Sequence, residues 1–258
     1  QLPKIIQTKG GEDWVTDANG DIWRAISQIA SATAFEKVQN PEHAFEAGYV
    51  LGHFHRMVSD LPCDQLRYAL PGFHVTPGYL AKLDAALATP EGQERVHASP
   101  EAKRALRFVE ERRARCNVLE NALKSGELQL RTTHGDPKVG NIMIDTATGR
   151  GTCIVDLDTV QPGLVHYDIG DATRSACNPA GEDAADLASV IFDLDLFTAI
   201  YRGYRAHAKD FLSPADLKYL YDCIHLIPLE LGIRFLADHV AGDVYFKVRY
   251  PGHNLRRA

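Results

Sequence analysis

His134-Gly135-Asp136-Pro137-Lys138-Val139-Gly140-Asn141, then the apolar run Ile142–Asp145, then Ile154-Val155-Asp156-Leu157-Asp158, is the stretch that decides the fold. It reads H-x-D-x-x-x-x-N, a hairpin turned at Thr146–Arg150, and an acidic residue closing the returning strand. Phosphoryl transfer calls for these groups. One carboxylate must orient an acceptor hydroxyl and take its proton, and oxygen ligands must hold magnesium against nucleotide phosphates. Asp136 suits the first task. Asn141, at the loop exit, and Asp156, on the neighbouring strand, suit the second, because magnesium takes few protein oxygens and keeps its waters and phosphates. Alone, H-x-D-x-x-x-x-N carries little weight, since Asp and Asn are ordinary turn residues. Set between strands, with a second Asp at the expected separation, it carries much more. His134 reads as a hydrogen-bonding brace for the loop rather than a proton carrier.

Outward from this cluster the period of the sequence changes. Upstream, Leu128–Thr133 reads as a strand entered after the helix breaker Gly126. Before it the chain is mostly helical. Asn40–Pro41 supplies a helix start with a capping side chain and Pro at the first helical position. Ala44, Phe45, Ala47, Leu51, Phe54, His55 and Val58 follow as an apolar stripe, and Leu61–Pro62 closes that helix. Tyr79–Leu87 and a longer Glu101–Leu123 are further helices. At the start, Lys4–Thr8, Trp14–Thr16 and Ile22–Ile29 read as strands, with a hairpin turn at Asp17-Ala18-Asn19-Gly20. Downstream, Leu196–Lys209 and Pro214–Val240 return to helical spacing, the second capped by Ser213 and kinked at Pro228.

Composition narrows the class. The chain has 258 residues, with 28 Lys and Arg against 34 Asp and Glu, a net charge of −6. That balance argues against a non-specific nucleic-acid binder, which needs a basic field. The five cysteines are scattered and form no C-x-x-C pair, so neither a zinc site nor a disulfide framework is signalled. Nothing approaches the ~20 apolar residues of a membrane span, and no signal peptide opens the chain. These features together predict a cytoplasmic location with reduced thiols.

The motif segments resemble the aminoglycoside-phosphotransferase superfamily, which is related to the protein kinases and includes choline, homoserine and sugar kinases. The resemblance implies an α+β, protein kinase-like fold: a mostly helical large lobe with a small strand cluster at the active site, preceded by a partial β small lobe. It implies ATP and Mg2+ as cofactors, Asp136 as catalytic base, and Asn141 and Asp156 as magnesium ligands. Lys138 stands where protein kinases also keep a lysine and is a candidate to neutralise the transferring phosphoryl group; a solvated loop lysine is the alternative. Asp158 is read as a strand-end carboxylate before a second metal ligand. Asp168, in His166-Tyr167-Asp168-Ile169-Gly170-Asp171, is the candidate structural support of the catalytic loop.

A narrower resemblance, to bacterial N-acetylhexosamine 1-kinases, covers nearly the whole chain. It rests on Trp23-Arg24, Asp156–Gly163, Tyr167–Arg174, Glu230–Leu236, Gly242–Lys247 and Tyr250–Leu255. Such kinases phosphorylate the anomeric hydroxyl of N-acetylglucosamine or N-acetylgalactosamine. By this resemblance Arg234 and Tyr245 are candidate sugar contacts. Glu230, Arg234 and Asp238 are also spaced for an ion-pair ladder on a helix face, and Arg174 divides between a substrate contact and a salt bridge to Asp171.

The departures matter too. No G-x-G-x-x-G precedes His134, and neither Lys4 nor Lys9 is followed by a helix carrying a Glu before the hairpin. The chain begins at Gln1, so the expectation is a start inside the small lobe. Residues 1–31 are then its remnant and the hinge, with the backbone of Gln28 and Ile29 against adenine, and 32–258 are the catalytic lobe. On that division the 258-residue chain by itself transfers little phosphate. A non-catalytic binding fragment is the rival expectation, and choline, homoserine or an aminoglycoside the rival acceptors.

Overall fold

The computed structural model describes residues 3–258. Its first strands are short and exposed. β1 (Ile5–Ile6) pairs with β4 (Ala25–Ile26), and β2 (Val15–Thr16) with β3 (Ile22–Trp23), both antiparallel. The hairpin turn forms as expected, with Asp17 Oδ1 accepting from the backbone of Asn19 and Asp21 at 2.8 and 3.0 Å. The single strand expected over Ile22–Ile29 is interrupted at Arg24, whose side chain is drawn to Asp158.

β5 (Ala32–Thr33) then joins the strand cluster. It pairs with β7 (Ile142–Asp145), which pairs in turn with β8 (Gly151–Ile154), giving a three-stranded antiparallel sheet. β6 (Arg131–Thr133) pairs separately with β9 (Gln161–Gly163). β6 is shorter than the Leu128–Thr133 run suggested, because Leu128 goes into the core instead of a ladder.

The helices divide between two cores. α1 (Pro41–Met57) starts at the Asn40 cap, whose Oδ1 accepts from the His43 amide at 2.8 Å. It packs on α7 (Leu194–Ala208) so closely that a Cβ on Gly48 would stand 1.9 Å from the Ile200 carbonyl oxygen. With β7, β8 and α6 (Val165–Ala176) these form the larger core. α2 (Thr76–Leu87), α3 (Pro90–Ala98) and α4 (Pro100–Glu110) build the smaller one.

α9 (Leu220–Ala241) spans both cores, placing Cys223, Leu226 and Ile227 in the first and Ile233, Leu236 and Val240 in the second. Pro228 lies inside α9 without ending it. The Ser213 cap is real and forms a reciprocal box with Asp216, but it opens only the short α8 (Pro214–Lys218), and the chain turns at Tyr219 before α9. Likewise the single helix expected over Glu101–Leu123 is two. α4 stops at Glu110, a 3-10 turn runs over Arg113–Asn117, and α5 is Val118–Lys124. Arg113 fixes that break by bridging Asp84 and Glu110 at 2.7 and 2.6 Å. The chain ends in α10 (His253–Arg257). All five cysteines are free thiols. Among the described residues no helix is long and apolar enough to cross a membrane.

Candidate active site

The loop His134–Asn141 leaves β6 and enters β7 through a 3-10 turn over Val139–Asn141. Its backbone is held from beneath by Asp168, fully buried in the first turn of α6. Asp168 Oδ2 accepts from the His134 amide at 2.6 Å and Oδ1 from the Gly135 amide at 2.9 Å. His55 Nε2 reaches Asp168 Oδ2 at 2.8 Å, and His55 Nδ1 meets the Tyr204 hydroxyl at 2.9 Å. Burial opposes a charge on Asp168, but these bonds outweigh it and its pKa lies below the usual carboxylate range. Gly135 sits at φ 89°, with Thr159 O so close that a Cβ would approach it to 2.7 Å. Only glycine meets both demands.

His134 is a brace, as its sequence position suggests. Its Nε2 donates to Val155 O at 3.0 Å and its Nδ1 accepts from the Asp136 amide at 3.2 Å, so both ring nitrogens are engaged in holding backbone. Asp136 is partly buried. Burial raises its pKa, with the Asp171 charge adding to that and Lys138 opposing it. Lys138 Nζ lies 2.5 Å from Asp136 Oδ2. Burial disfavours the ammonium, but the Asp136 bond and neighbouring carboxylates prevail and raise its pKa. Asn141 turns its amide nitrogen to Asp136, 2.7 Å from the main-chain oxygen and 3.2 Å from Oδ2. Its amide oxygen is thereby turned away from that residue.

Asp156 stands beyond the end of β8 rather than within a strand, in a left-handed conformation at φ 66°. The bond from the Val155 amide to Asn141 O, 2.9 Å, ties its neighbour to the loop exit. Its carboxylate is exposed and lies close enough to Lys138 and Arg24 to raise the pKa of both. The donor types fit magnesium: an amide oxygen on Asn141 and an open carboxylate on Asp156, on segments joined by the Val155–Asn141 backbone bond. Among the described residues no group of three or more His, Cys, Asp or Glu side chains gathers as a transition-metal site would. Asp158 is ion-paired with Arg24.

The candidate acceptor residues fall in two separate clefts, each bordered by α9. Arg174 and Lys138 border one of about 680 Å³. Arg174 is committed there to Asp171 at 2.7 Å and to Glu182 at 3.5 Å. Arg234 and Tyr245 border the other, about 370 Å³. The Arg234 guanidinium lies 5.2, 5.0 and 5.5 Å from the ring centres of Phe73, Tyr79 and Phe246. The ladder that the spacing allowed does not form. Glu230 turns instead to His74 and Thr76, and Asp238 accepts from the amides of Val244, Tyr245 and Phe246 at 3.0, 2.8 and 2.9 Å. Tyr245 is 76% exposed at the rim, edge-on to Phe246. At the expected hinge, Gln28 is exposed, while Ile29 is buried and its carbonyl accepts from the Ala32 amide at 3.3 Å.

Sequence reasoning missed His55 and Tyr204 behind the loop, and Phe73, His74 and Tyr79 around the cleft. His55 could only be placed on the α1 stripe. Residues 70–75 have no periodicity to betray them.

Fold and loop together define a kinase-like phosphotransferase. A family model described as the phosphotransferase enzyme family matches residues 3–206, and the chain belongs to that family. Among solved structures, the chain is similar to an aminoglycoside phosphotransferase from Alicyclobacillus acidocaldarius subsp. acidocaldarius DSM 446, at TM-score 0.64 and 13% identity. That match covers 99% of this chain and 72% of the other. It is similar to a microcompartment-associated aminopropanol kinase at TM-score 0.60 and 18% identity, covering 99% and 71%. It is also similar to a Plasmodium vivax ethanolamine kinase at 0.59 and 14%, covering 99% and 67%. At these identities the likeness is one of fold.

Proposed function

We propose that this phosphotransferase moves the γ-phosphoryl group of ATP to the anomeric hydroxyl of an N-acetylhexosamine. Asp136 accepts the hydroxyl proton through its Oδ1, since Oδ2 is occupied by Lys138. The hydroxyl oxygen forms the new bond to phosphorus as the bond to ADP breaks, and ADP departs. Lys138 stands beside the base to face the phosphoryl charge. Asn141 and Asp156 hold magnesium, which when bound neutralises the nucleotide phosphates. Gln28 and Ile29 offer backbone to the adenine, and the division at residue 31 separates that nucleotide-facing segment from the catalytic lobe.

The observation that carries the acceptor class is the cationic wall of the smaller cleft, which has no ion pair among the described residues. Arg234 is caged by three aromatic rings, Lys82 stands nearby, and the one acid, Asp238, is spent on three backbone amides. The similar structures are an aminoglycoside phosphotransferase, an ethanolamine kinase and an aminopropanol kinase. Such acceptors are cations and require acidic or open aromatic surroundings. A neutral sugar suits this cleft better: guanidinium donors face hydroxyl and acetamido oxygens, and flat rings cover the apolar ring face. The test is an acceptor panel with the full-length protein and Mg-ATP, comprising N-acetylglucosamine, N-acetylgalactosamine, glucose, ethanolamine, choline and kanamycin, with NMR location of the phosphate. Turnover of an N-acetylhexosamine at the anomeric carbon is expected. Preference for a cationic acceptor would remove the sugar assignment and leave the phosphotransfer assignment standing.

A further inference from the structure

Outside the motif, one buried charged cluster touches both the catalytic loop and the acceptor cleft. His74 is 4% exposed and Glu230 1%. His74 Nδ1 lies 3.0 Å from Glu230 Oε1, and His74 Nε2 lies 3.0 Å from the carbonyl oxygen of Gly135. The other Glu230 oxygen accepts from Thr76 Oγ1 at 2.9 Å. Both ring nitrogens of His74 thus face oxygens that only accept, which calls for two ring protons and a charged imidazolium beside the carboxylate. His74 also sits at φ 59°, a left-handed backbone conformation uncommon for residues other than glycine. Strain of this kind persists where surrounding contacts over-determine it.

The bond to Gly135 O acts on the base through one peptide plane. The carbonyl of the Gly135–Asp136 peptide is held by His74 and its N–H by His134 Nδ1. Both ends of the plane that carries Asp136 are therefore pinned, one by the remote His74 and one by His134 of the loop itself. At its other end the cluster enters the cleft wall. Phe73, next to His74, cages Arg234, and Arg234 stands one turn along α9 from Glu230. Gln161 fastens the same wall to β9, accepting from the Leu70 amide at 2.8 Å and donating to the Leu70 carbonyl at 3.3 Å.

We infer that His74, locked by Glu230, is a positioning residue that sets the register between the base Asp136 and the acceptor cleft. The inference rests on the reading of Asp136 as base. Burial disfavours a charged His74, but Glu230, Asp171 and the Gly135 carbonyl outweigh it and raise its pKa, in keeping with the two-donor geometry.

The test uses His74→Asn, which tolerates the left-handed backbone, and Glu230→Gln, which keeps the shape and removes the charge, in the full-length protein. Two readouts are taken: kcat and KM for the fastest acceptor of the panel above, and hydrogen exchange of the loop peptide over residues 131–142. His74→Asn should lower kcat by roughly 10–100-fold, since a misplacement of about 1 Å can cost ~100-fold. The acceptor KM should move far less, and loop exchange should accelerate. Glu230→Gln should show the same pattern more weakly, which supplies the answer if His74→Asn does not fold. Parental kcat per folded molecule with unchanged loop exchange would overturn the inference. Asp136→Asn separates the layers. If it retains parental turnover, the base reading fails while the exchange data still decide whether His74 holds the loop. If it is dead and His74→Asn is fully active, only the positioning role is lost.

Discussion

The catalytic loop and the acceptor cleft are built on opposite plans. The loop is one run of eight residues, 134–141, gripped from behind by a buried carboxylate that touches two consecutive backbone amides. The cleft is assembled from remote pieces, Leu70–Tyr79, α9 and the 244–246 turn, and its polar bonds mostly fix backbone rather than offer themselves to a ligand. In the loop, position is set largely by hydrogen bonds to the main chain, which leaves Asp136, Lys138 and Asn141 to face one another at its open side. In the cleft, position is set by aromatic packing around a single guanidinium, so on the proposed reading selectivity would rest on that group and the rings around it. Chemistry common to a family can then stay fixed while the acceptor changes.

This contrast can be broken at its strongest point first. Asp136→Asn should remove roughly 10²–10⁴-fold of turnover with melting unchanged, the usual worth of a positioned base; steady-state kinetics with thermal melts decides it. Asp168→Ala should act differently, on the fold as well as the rate. It strands the amides of His134 and Gly135 and leaves His55 facing a void, so a loss of about 3–5 kcal/mol in urea unfolding is expected. If stability held and only kcat fell, Asp168 would belong with the chemistry rather than the support. Asp156→Ala should raise the magnesium requirement more than Asn141→Ala does, because an ionised oxygen binds a dication more strongly than an amide does. Loss of a group that merely supports a metal ligand already costs roughly 10–100-fold in affinity, and a magnesium titration at saturating acceptor reads it.

On the cleft side, Arg234→Ala should raise the acceptor KM by about tenfold with a smaller change in kcat, the scale of one or two cation–aromatic contacts and a lost donor. An equal fall in kcat and kcat/KM would show that Arg234 acts only in the transition state and would blur the division between loop and cleft. The gentlest probe is pH. Asp136 has its pKa raised by burial, and as the proposed base it would have to be ionised, so kcat/KM should fall on the acid side at a pH above the ordinary carboxylate range. Asp168 is shifted the other way, so the stability it contributes is present above its unfolded-state pKa and is lost only as pH falls below that value. The acid limb of the rate should therefore appear while circular dichroism is still native. Rate and fold lost together would mean the two carboxylates titrate as one.

Legibility followed the same division. Asp136 and Asn141 lie within one eight-residue loop whose register depends on local turns, so their spacing between strands put them forward as candidates, while Lys138 was put forward by the resemblance. Helix starts were read where a capping side chain preceded a proline at Asn40–Pro41 and Ser213–Pro214. The same signal at Thr89–Pro90 marks α3, which the apolar stripes did not reveal. Helix ends were harder, because Arg113 stops one by pairing with Asp84 across 29 residues. Arg174 and Arg234 looked alike as helix arginines. One is bound to Asp171 and Glu182 and the other is caged by rings, a difference that no spacing on a single helix contains.

By itself the sequence determined the kind of chemistry, the strand cluster that presents it and the helical bulk around it, since these depend on short-range spacing, turn chemistry and apolar period. Only the tertiary structure decided that Glu230 serves His74 rather than Arg234, that Asp238 is spent on a backbone turn, and that His55, Tyr204 and His74 stand behind the catalytic loop. Each of those choices is made by a buried polar atom taking whichever partner packing brings within about 3 Å. Those partners are separated by up to 156 residues of chain, so the choice is a property of the folded core and not of any local stretch.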